Sequence, residues 1–127
     1  MNIRLETNKV EELRISKIEQ GSDHLEFSFS ASFSDSNLCQ YCILFELKLK
    51  HREGFLYEVK YRSDFETDIE IDEDFKKSHF IFVNSPAIAY PFLRAYLANL
   101  MLSSGHEPAM LPAVNFVKKH KETIEQN

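Results

Sequence analysis

The chain has no tryptophan, three glycines, four prolines and two cysteines among 127 residues. Gly21, Gly54 and Gly105 stand too far apart to build a GxGxxG turn or a phosphate loop, which excludes the common nucleotide cradles. Cys39 and Cys42 are too few for a disulfide framework. As a C-x-x-C pair they open a strand pattern, where a thioredoxin-like pair needs a helix start, and no second ligand pair completes a zinc site, so they are read as structural thiols. Positive charge is scarce too. Lys and Arg number 15 against 20 Asp and Glu, a net charge of -5, which excludes a nucleic-acid surface. No apolar run reaches the roughly 18 residues of a membrane span, because Arg94 interrupts the longest. The opening MNIRLETNKVEEL lacks a signal-peptide core, so cytoplasmic residence without membrane insertion is the expectation.

Catalytic signatures are missing in the same way. His24, His51, His79, His106 and His120 show no i, i+4 zincin spacing, there is no G-x-S-x-G elbow, and the carboxylates fall on predicted wet faces. No metal, cofactor or enzymatic activity is expected.

What the chain does have is rings, 11 Phe and 5 Tyr, in a length that suits one domain. Leu25, Phe27, Phe29, Ala31 and Phe33 alternate with Glu26, Ser28, Ser30 and Ser32, the period-two pattern of a strand with one wet face. Ile43, Phe45, Leu47 and Leu49 alternate likewise, as do Phe55, Tyr57, Val59 and Tyr61, and the two runs form a hairpin around Gly54. Upstream, Leu13, Ile15 and Ile18 fit neither period cleanly; a strand is predicted from about Val10 to Glu19, with a bulge as one way to reconcile the spacing. Asp72, Glu73 and Asp74 suit the start of a helix.

Residues 84–116 form a nearly continuous apolar helix. Asn84 or Ser85 is predicted to cap it, with Pro86 in its first turn, Pro91 kinking or restarting it, and Gly105 ending it before a short helix over about Asn115 to Glu125. A helix apolar on nearly every face must be covered on several sides, and so small a domain has little interior for that. Subunit association or a binding groove is implied.

The same segment resembles the C-terminal half of the bacterial SecB family of export chaperones. The shared elements are Pro86, Tyr90-Pro91-Phe92, Arg94, Gly105, Pro108 and the ending Leu111-Pro112-Ala113-Val114-Asn115-Phe116. The resemblance implies an α+β fold, a four-stranded antiparallel sheet packed on two C-terminal helices, in one domain over residues 1–127. The family joins its first two strands by a long crossover that walls the client groove. Here only Gln20 to His24 is available, so the strand order near the N-terminus and the depth of the groove are open.

By resemblance, the function is that of a chaperone working without ATP, which binds unfolded preproteins and delivers them to SecA. It implies a dimer of dimers, with the long helices, carrying Arg94, Tyr96, Asn99 and Leu100, sandwiched between dimers. Candidate groove residues are Phe27, Phe29, Phe33, Tyr90, Phe92, Met110 and Leu111. The sequence Phe55-Leu56-Tyr57-Glu58-Val59 matches the family's SecA-contact pattern, which points to Leu56 and Glu58. Lys48, Lys50, Lys60 and Arg62 make that face less acidic than such a contact wants. Two alternatives stand beside export: a SecB-like chaperone dedicated to one client, such as the antitoxin of a toxin-antitoxin pair, and a homo-oligomeric or small-molecule-binding module that keeps only the scaffold.

Overall fold

The computed structural model describes the backbone of residues 1–19, 21–109 and 111–126, and side chains as far as 122. Four strands, β1 (Ile3–Lys17), β2 (His24–Phe33), β3 (Gln40–His51) and β4 (Phe55–Thr67), form one antiparallel sheet in the order β1-β4-β3-β2. The alternation predicted for β2, β3 and β4 is the one observed. Phe29 faces Phe45, which faces Tyr61, and Phe27 faces Leu47, which faces Val59, so each row carries rings or aliphatic groups to one inner face. Gly54 turns the β3–β4 hairpin at φ +90°, a conformation that favours glycine.

Strand β1 corrects the prediction of Val10 to Glu19, beginning seven residues earlier and ending two earlier. Register shifts between Leu5 and Thr7 and between Val10 and Glu12 insert Glu6 and Glu11 as extra residues, which breaks the period of two that a sequence pattern relies on. Leu13 and Ile15 return to register opposite Val59 and Tyr57, yet remain substantially exposed at the sheet edge.

The connection from β1 at one edge to β2 at the other is described at Ile18 and Asp23, beside the β3–β4 hairpin. Three strand spacings are roughly 14 Å, and six extended residues reach roughly 20 Å, so the short connection suffices. It is fastened over the hairpin: Ile18 N–H donates to Gly54 O (2.9 Å), and the Arg52 amide and Nη1 donate to Asp23 Oδ1 and Oδ2 (2.8 and 2.7 Å). Burial alone would raise the Asp23 carboxyl, but the Arg52 amide and guanidinium outweigh it and hold it below its ordinary value. A carboxyl lowered on folding contributes stability above its unfolded value, about 3.9, that is lost as pH falls through the folded one. Asp23→Asn is therefore expected to lower the melting temperature at pH 7, with the deficit shrinking as pH falls below the unfolded value of about 3.9; a deficit in thermal melts that does not shrink with acid would contradict this.

Asp72 accepts the Phe75 N–H (2.8 Å) and caps a short helix, α1 (Glu73–Lys76). A π-helical turn over Phe80–Asn84 then runs directly into α2 (Ser85–Ser103). Neither Asn84 nor Ser85 acts as the predicted cap, since both are already helical. Instead the Ser85 hydroxyl donates to Phe80 O and meets the Tyr41 hydroxyl at 2.6 Å, pinning the π turn to β3. Burial pushes the Tyr41 phenol up to about 12, the Ser85 bond opposing it. Pro91 lies inside a helix that continues through it. Its missing amide releases only the carbonyl of Ala87, on the exposed face where water reaches it.

Gly105 (φ +84°) ends α2: its N–H donates to Leu102 O and the His106 N–H to Met101 O, the paired bonds of a Schellman motif. Asn115 caps α3 (Phe116–Gln126) by accepting the Lys118 N–H at 3.0 Å. Ala89, Leu93, Leu97 and Met101, spaced by four, are fully buried between α2 and the sheet and form the centre of the core. His51, also fully buried, ties the hairpin to the interhelical segment. Its Nδ1 accepts the Glu53 N–H (3.0 Å), which leaves Nε2 as the donor to Glu107 O (2.5 Å).

Cys39 and Cys42 are free and sit at the start of β3, as their strand pattern implied. Cys42 is buried, and burial pushes its thiol up.

Candidate functional site

Among the described residues β2 pairs with β3 alone, so one of its edges carries no strand of theirs. Along that edge lies a cleft of about 810 Å³, bordered by Ser28 to Ala31 and Phe33 of β2, by Lys76, Lys77, Ile81 and Phe82 from α1 and the π turn, and by Lys119 and His120 of α3. Each wall follows from local sequence. The alternation of β2 points Phe27, Phe29 and Phe33 inward. The π turn brings Ile81 and Phe82 round, and the Asn115 cap starts α3 so that its Phe116 meets Phe27 and Phe29.

The floor is aromatic and layered. Phe27 stacks on Tyr90 (5.5 Å, 22°), Phe29 meets Phe45 and Phe116 (6.1 and 5.7 Å), and Phe33 leans on Tyr41 (6.1 Å). Phe82 stacks on His120 at 4.8 Å to form the far wall. The three β2 rings are half-buried and packed against the core, and Phe29 and Phe33 also line the cleft. Lys119 Nζ lies 4.7 Å from the Phe27 ring and Lys76 Nζ 5.2 Å from the Phe33 ring.

The other groove candidates fall elsewhere. Tyr90 is 3% exposed and its hydroxyl donates to Pro112 O at 2.8 Å, so it braces the floor from behind. Leu111 is likewise buried, within the core. Phe92 is 50% exposed on the face of α2 turned away from the sheet. Met110 lies outside the described residues. Sequence reasoning missed Lys76, Lys77, Ile81, Phe82, Lys119 and His120. The Phe-Ile-Phe run at 80–82 was the available signal, but a π turn has no periodicity of its own to expose it.

The outward face of α2 carries Ile88, Phe92, Ala95, Asn99 and Leu102, spaced four, three, four and three. Ile88 and Leu102 are 41% and 64% exposed, and this is the spacing of a helix-packing seam. Of the interface candidates, Asn99 belongs to that stripe. Arg94 lies over the Tyr90 ring (5.9 Å), Tyr96 packs near Tyr61 (5.9 Å) and Leu100 is half-buried against the core.

Leu56 and Glu58 share the outer sheet face, both half-buried. Glu58 lies between Arg14 (3.8 Å) and Lys48 (3.9 Å), and the neighbouring row pairs Lys60 with Glu12 (3.3 Å). The register completes an alternating pattern, Arg14–Glu58–Lys48–Glu26 beside Glu12–Lys60–Glu46. Among the described residues no helix is long and apolar enough to cross a membrane, and no cluster of three or more His, Cys, Asp or Glu could hold a metal ion.

Comparison with known proteins agrees with this architecture. A protein-export protein SecB of Anaplasma phagocytophilum is 30% identical over 77 residues, 58% of this chain and 48% of that protein. One from Ehrlichia ruminantium is 31% identical over 88 residues, 64% of this chain and 50% of that protein. The chain thus spans about half the length of these relatives. Among solved structures, a SecB-like chaperone of Mycobacterium tuberculosis, in complex with a peptide from the HigA1 antitoxin, superposes with a TM-score of 0.71 at 12% identity, over 89% of this chain and 90% of that one. A protein of unknown function from Streptococcus agalactiae gives 0.55 at 13% identity, over 89% and 98%. The family described as preprotein translocase subunit SecB matches residues 7–127, nearly the whole chain, and this protein belongs to the SecB family.

Proposed function

We propose that this protein is a chaperone that works without nucleotide, binding unfolded polypeptide in the cleft beside β2 and holding it from aggregation. The observation that carries this reading is the coincidence of a strand edge with no strand partner among the described residues and a half-buried aromatic floor, Phe29 and Phe33. Unfolded chains share two properties, free backbone amides and uncovered apolar side chains. An open strand edge offers hydrogen bonds to the first, and alternating rings offer contact to the second, without selecting a sequence. No catalytic step is required of any side chain. In assembly, the apolar stripe of α2 and the exposed Leu13 and Ile15 of β1 are the surfaces that would meet other copies, giving a dimer or a dimer of dimers. Several clefts on one assembly then engage one long client with raised avidity.

The experiment is aggregation of a chemically unfolded preprotein, followed by light scattering, with the purified protein and no ATP. Suppression at stoichiometric assembly, lost in Phe29→Asp, supports the reading. No suppression by the wild type would favour a module that keeps only the scaffold.

Delivery to SecA is the export arm of the proposal, with Leu56 and Glu58 as its contact. A second reading, a chaperone dedicated to one client such as an antitoxin, is favoured by the Glu58 carboxylate being engaged by Arg14 and Lys48 within a charge-balanced face. It is also favoured by the antitoxin peptide bound to the Mycobacterium tuberculosis relative. Changing Leu56→Ala and Glu58→Lys together is expected to weaken SecA binding about tenfold if that face docks SecA. Unchanged affinity in a titration, with assembly intact, would support the dedicated client.

A further inference from the structure

We propose that His51 is an acid-sensitive latch: it seats the segment between α2 and α3 only while neutral, and a second proton on its ring releases that segment and loosens the α3 wall of the cleft. The latch is a property of the fold and stands whether or not the cleft takes a client. The His51 ring is fully buried, and backbone groups engage both of its nitrogens. An amide N–H can only donate, so the Glu53 N–H at 3.0 Å requires a bare Nδ1. A carbonyl can only accept, so Glu107 O requires the proton on Nε2. The two partners fix the same neutral tautomer independently. An imidazolium carries an N–H at both positions, and one on Nδ1 would point at the Glu53 N–H. The seated ring thus has no place for the second proton, whereas an imidazole in water takes it at about pH 6.5. The released state binds more protons than the latched one, so acid favours release.

The groups around the ring draw the same way. Arg52 and Glu53 follow it in the hairpin, Asp23 approaches from the connection ahead of β2, and His106 and Glu107 come from the interhelical segment. Phe55 faces it across the ladder, the Tyr57 ring lies 6.2 Å away, and the last turn of α2 carries no charged side chain. Three carboxylates, Asp23, Glu53 and Glu107, therefore outnumber the Arg52 guanidinium and favour an imidazolium once the ring is free to form one. His106, 5.8 Å from His51 between ring centres, opposes this when charged. It can take a proton in place, because its Nδ1 is bonded to the Tyr57 hydroxyl, which accepts as well as donates. Without the His51 bond, Glu107 to Ala109 are held by the surface pair of Glu107 with Arg52 (2.9 Å) and by two long contacts, Glu107 N–H to Glu53 Oε1 (3.3 Å) and Ala109 N–H to Met101 Sδ (3.4 Å). The same segment leads through Pro112, whose carbonyl accepts the Tyr90 hydroxyl, to the Asn115 cap and to Phe116 against Phe29. Slack at Glu107 is passed to the start of α3.

The test follows the full chain from about pH 7.5 to about pH 5.5 by imidazole nitrogen NMR and amide exchange. At the upper end His51 is expected as the Nε2–H tautomer with a bare Nδ1. As its ring takes the second proton, protection of the Glu53, Glu107 and Ala109 amides and of residues 116–119, corrected for the intrinsic pH dependence of exchange, should fall at least about tenfold. Protection in β3 and β4 should hold. His51→Gln, whose side-chain amide can still donate to Glu107 O but does not titrate, should flatten the pH dependence. His106→Phe, which keeps a ring against Phe55, should retain it. An Nδ1–H tautomer at the upper end, a second proton gained with the segment still protected, or a ring still neutral at about pH 5.5 would overturn the latch. Equal loss of protection across the whole sheet would overturn it as well, being general acid unfolding. Loss of the pH dependence in His106→Phe but not in His51→Gln would assign the effect to His106 and overturn it too. The wild-type titration decides the matter without either variant.

Discussion

Replacing Ile88 and Phe92 together by glutamate is expected to yield a folded monomer at concentrations where the wild type associates. Both side chains lie on the outward face of α2, about half exposed within the chain, so the core loses little when they change. In an assembly the same stripe would be covered by a second copy. Burying an Ile or Phe fully is worth about 1.5 to 3 kcal/mol, and a twofold interface repeats each loss in both partners. Counting half of that for the part already covered, two positions in two copies still amount to about 3 to 6 kcal/mol. Charge burial adds to the penalty. The dissociation constant should rise by at least about a hundredfold. Sedimentation velocity across a concentration series measures it, with circular dichroism to confirm the fold. A wild type that is monomeric at every concentration would contradict the assembly proposal; a double variant that sediments like an associating wild type would move the interface off this stripe.

The opposite face of the same helix fails in the opposite way. Leu97 is fully buried between Leu93 and Met101, against the sheet, so Leu97→Ala opens a cavity that rigid strands fill only partly. The expected cost is about 2 to 5 kcal/mol, which for a domain of this size lowers the melting temperature by roughly 6 to 20 °C. Urea denaturation reads the loss directly as a lower midpoint with an unchanged slope. A cost under about 1 kcal/mol would mean that the core around α2 collapses readily. The pair of experiments separates the two roles of an all-round apolar helix, since one face holds the monomer and the other is available to a neighbour.

The sequence discloses these elements unevenly, for physical reasons. β2, β3 and β4 are legible because each presents one wet and one dry face, so Phe27, Phe29, Phe45 and Tyr61 announce the inner side by alternation alone. The ends of α2 and α3 are legible where chemistry is local, as at Gly105 and Asn115. β1 is blurred by the bulges at Glu6 and Glu11, which change the side a residue faces without any mark in composition. Ser85 looks like a cap because its hydroxyl seeks a backbone partner, and it finds one in Phe80 O through a π turn that sequence periodicity does not encode. The cleft is half legible. Its floor comes from one alternating strand, whereas its cationic rim comes from α1 and α3, which are brought together only by the tertiary fold. Phe92 and Tyr90, two residues apart in the shared motif, end on opposite sides of α2 because a helix turns about 200° between them.

The most direct test of the central claim is amide hydrogen exchange with and without a saturating unfolded client. An extended segment added to the open edge of β2 is expected to slow exchange at alternate amides of residues 27–33 by about tenfold or more, because every second N–H of an edge strand points outward to a new partner. Exchange in β3 and β4 should stay unchanged. Protection confined to the outer sheet face or to the outward stripe of α2, with residues 27–33 unaffected while the client is bound, would contradict the account.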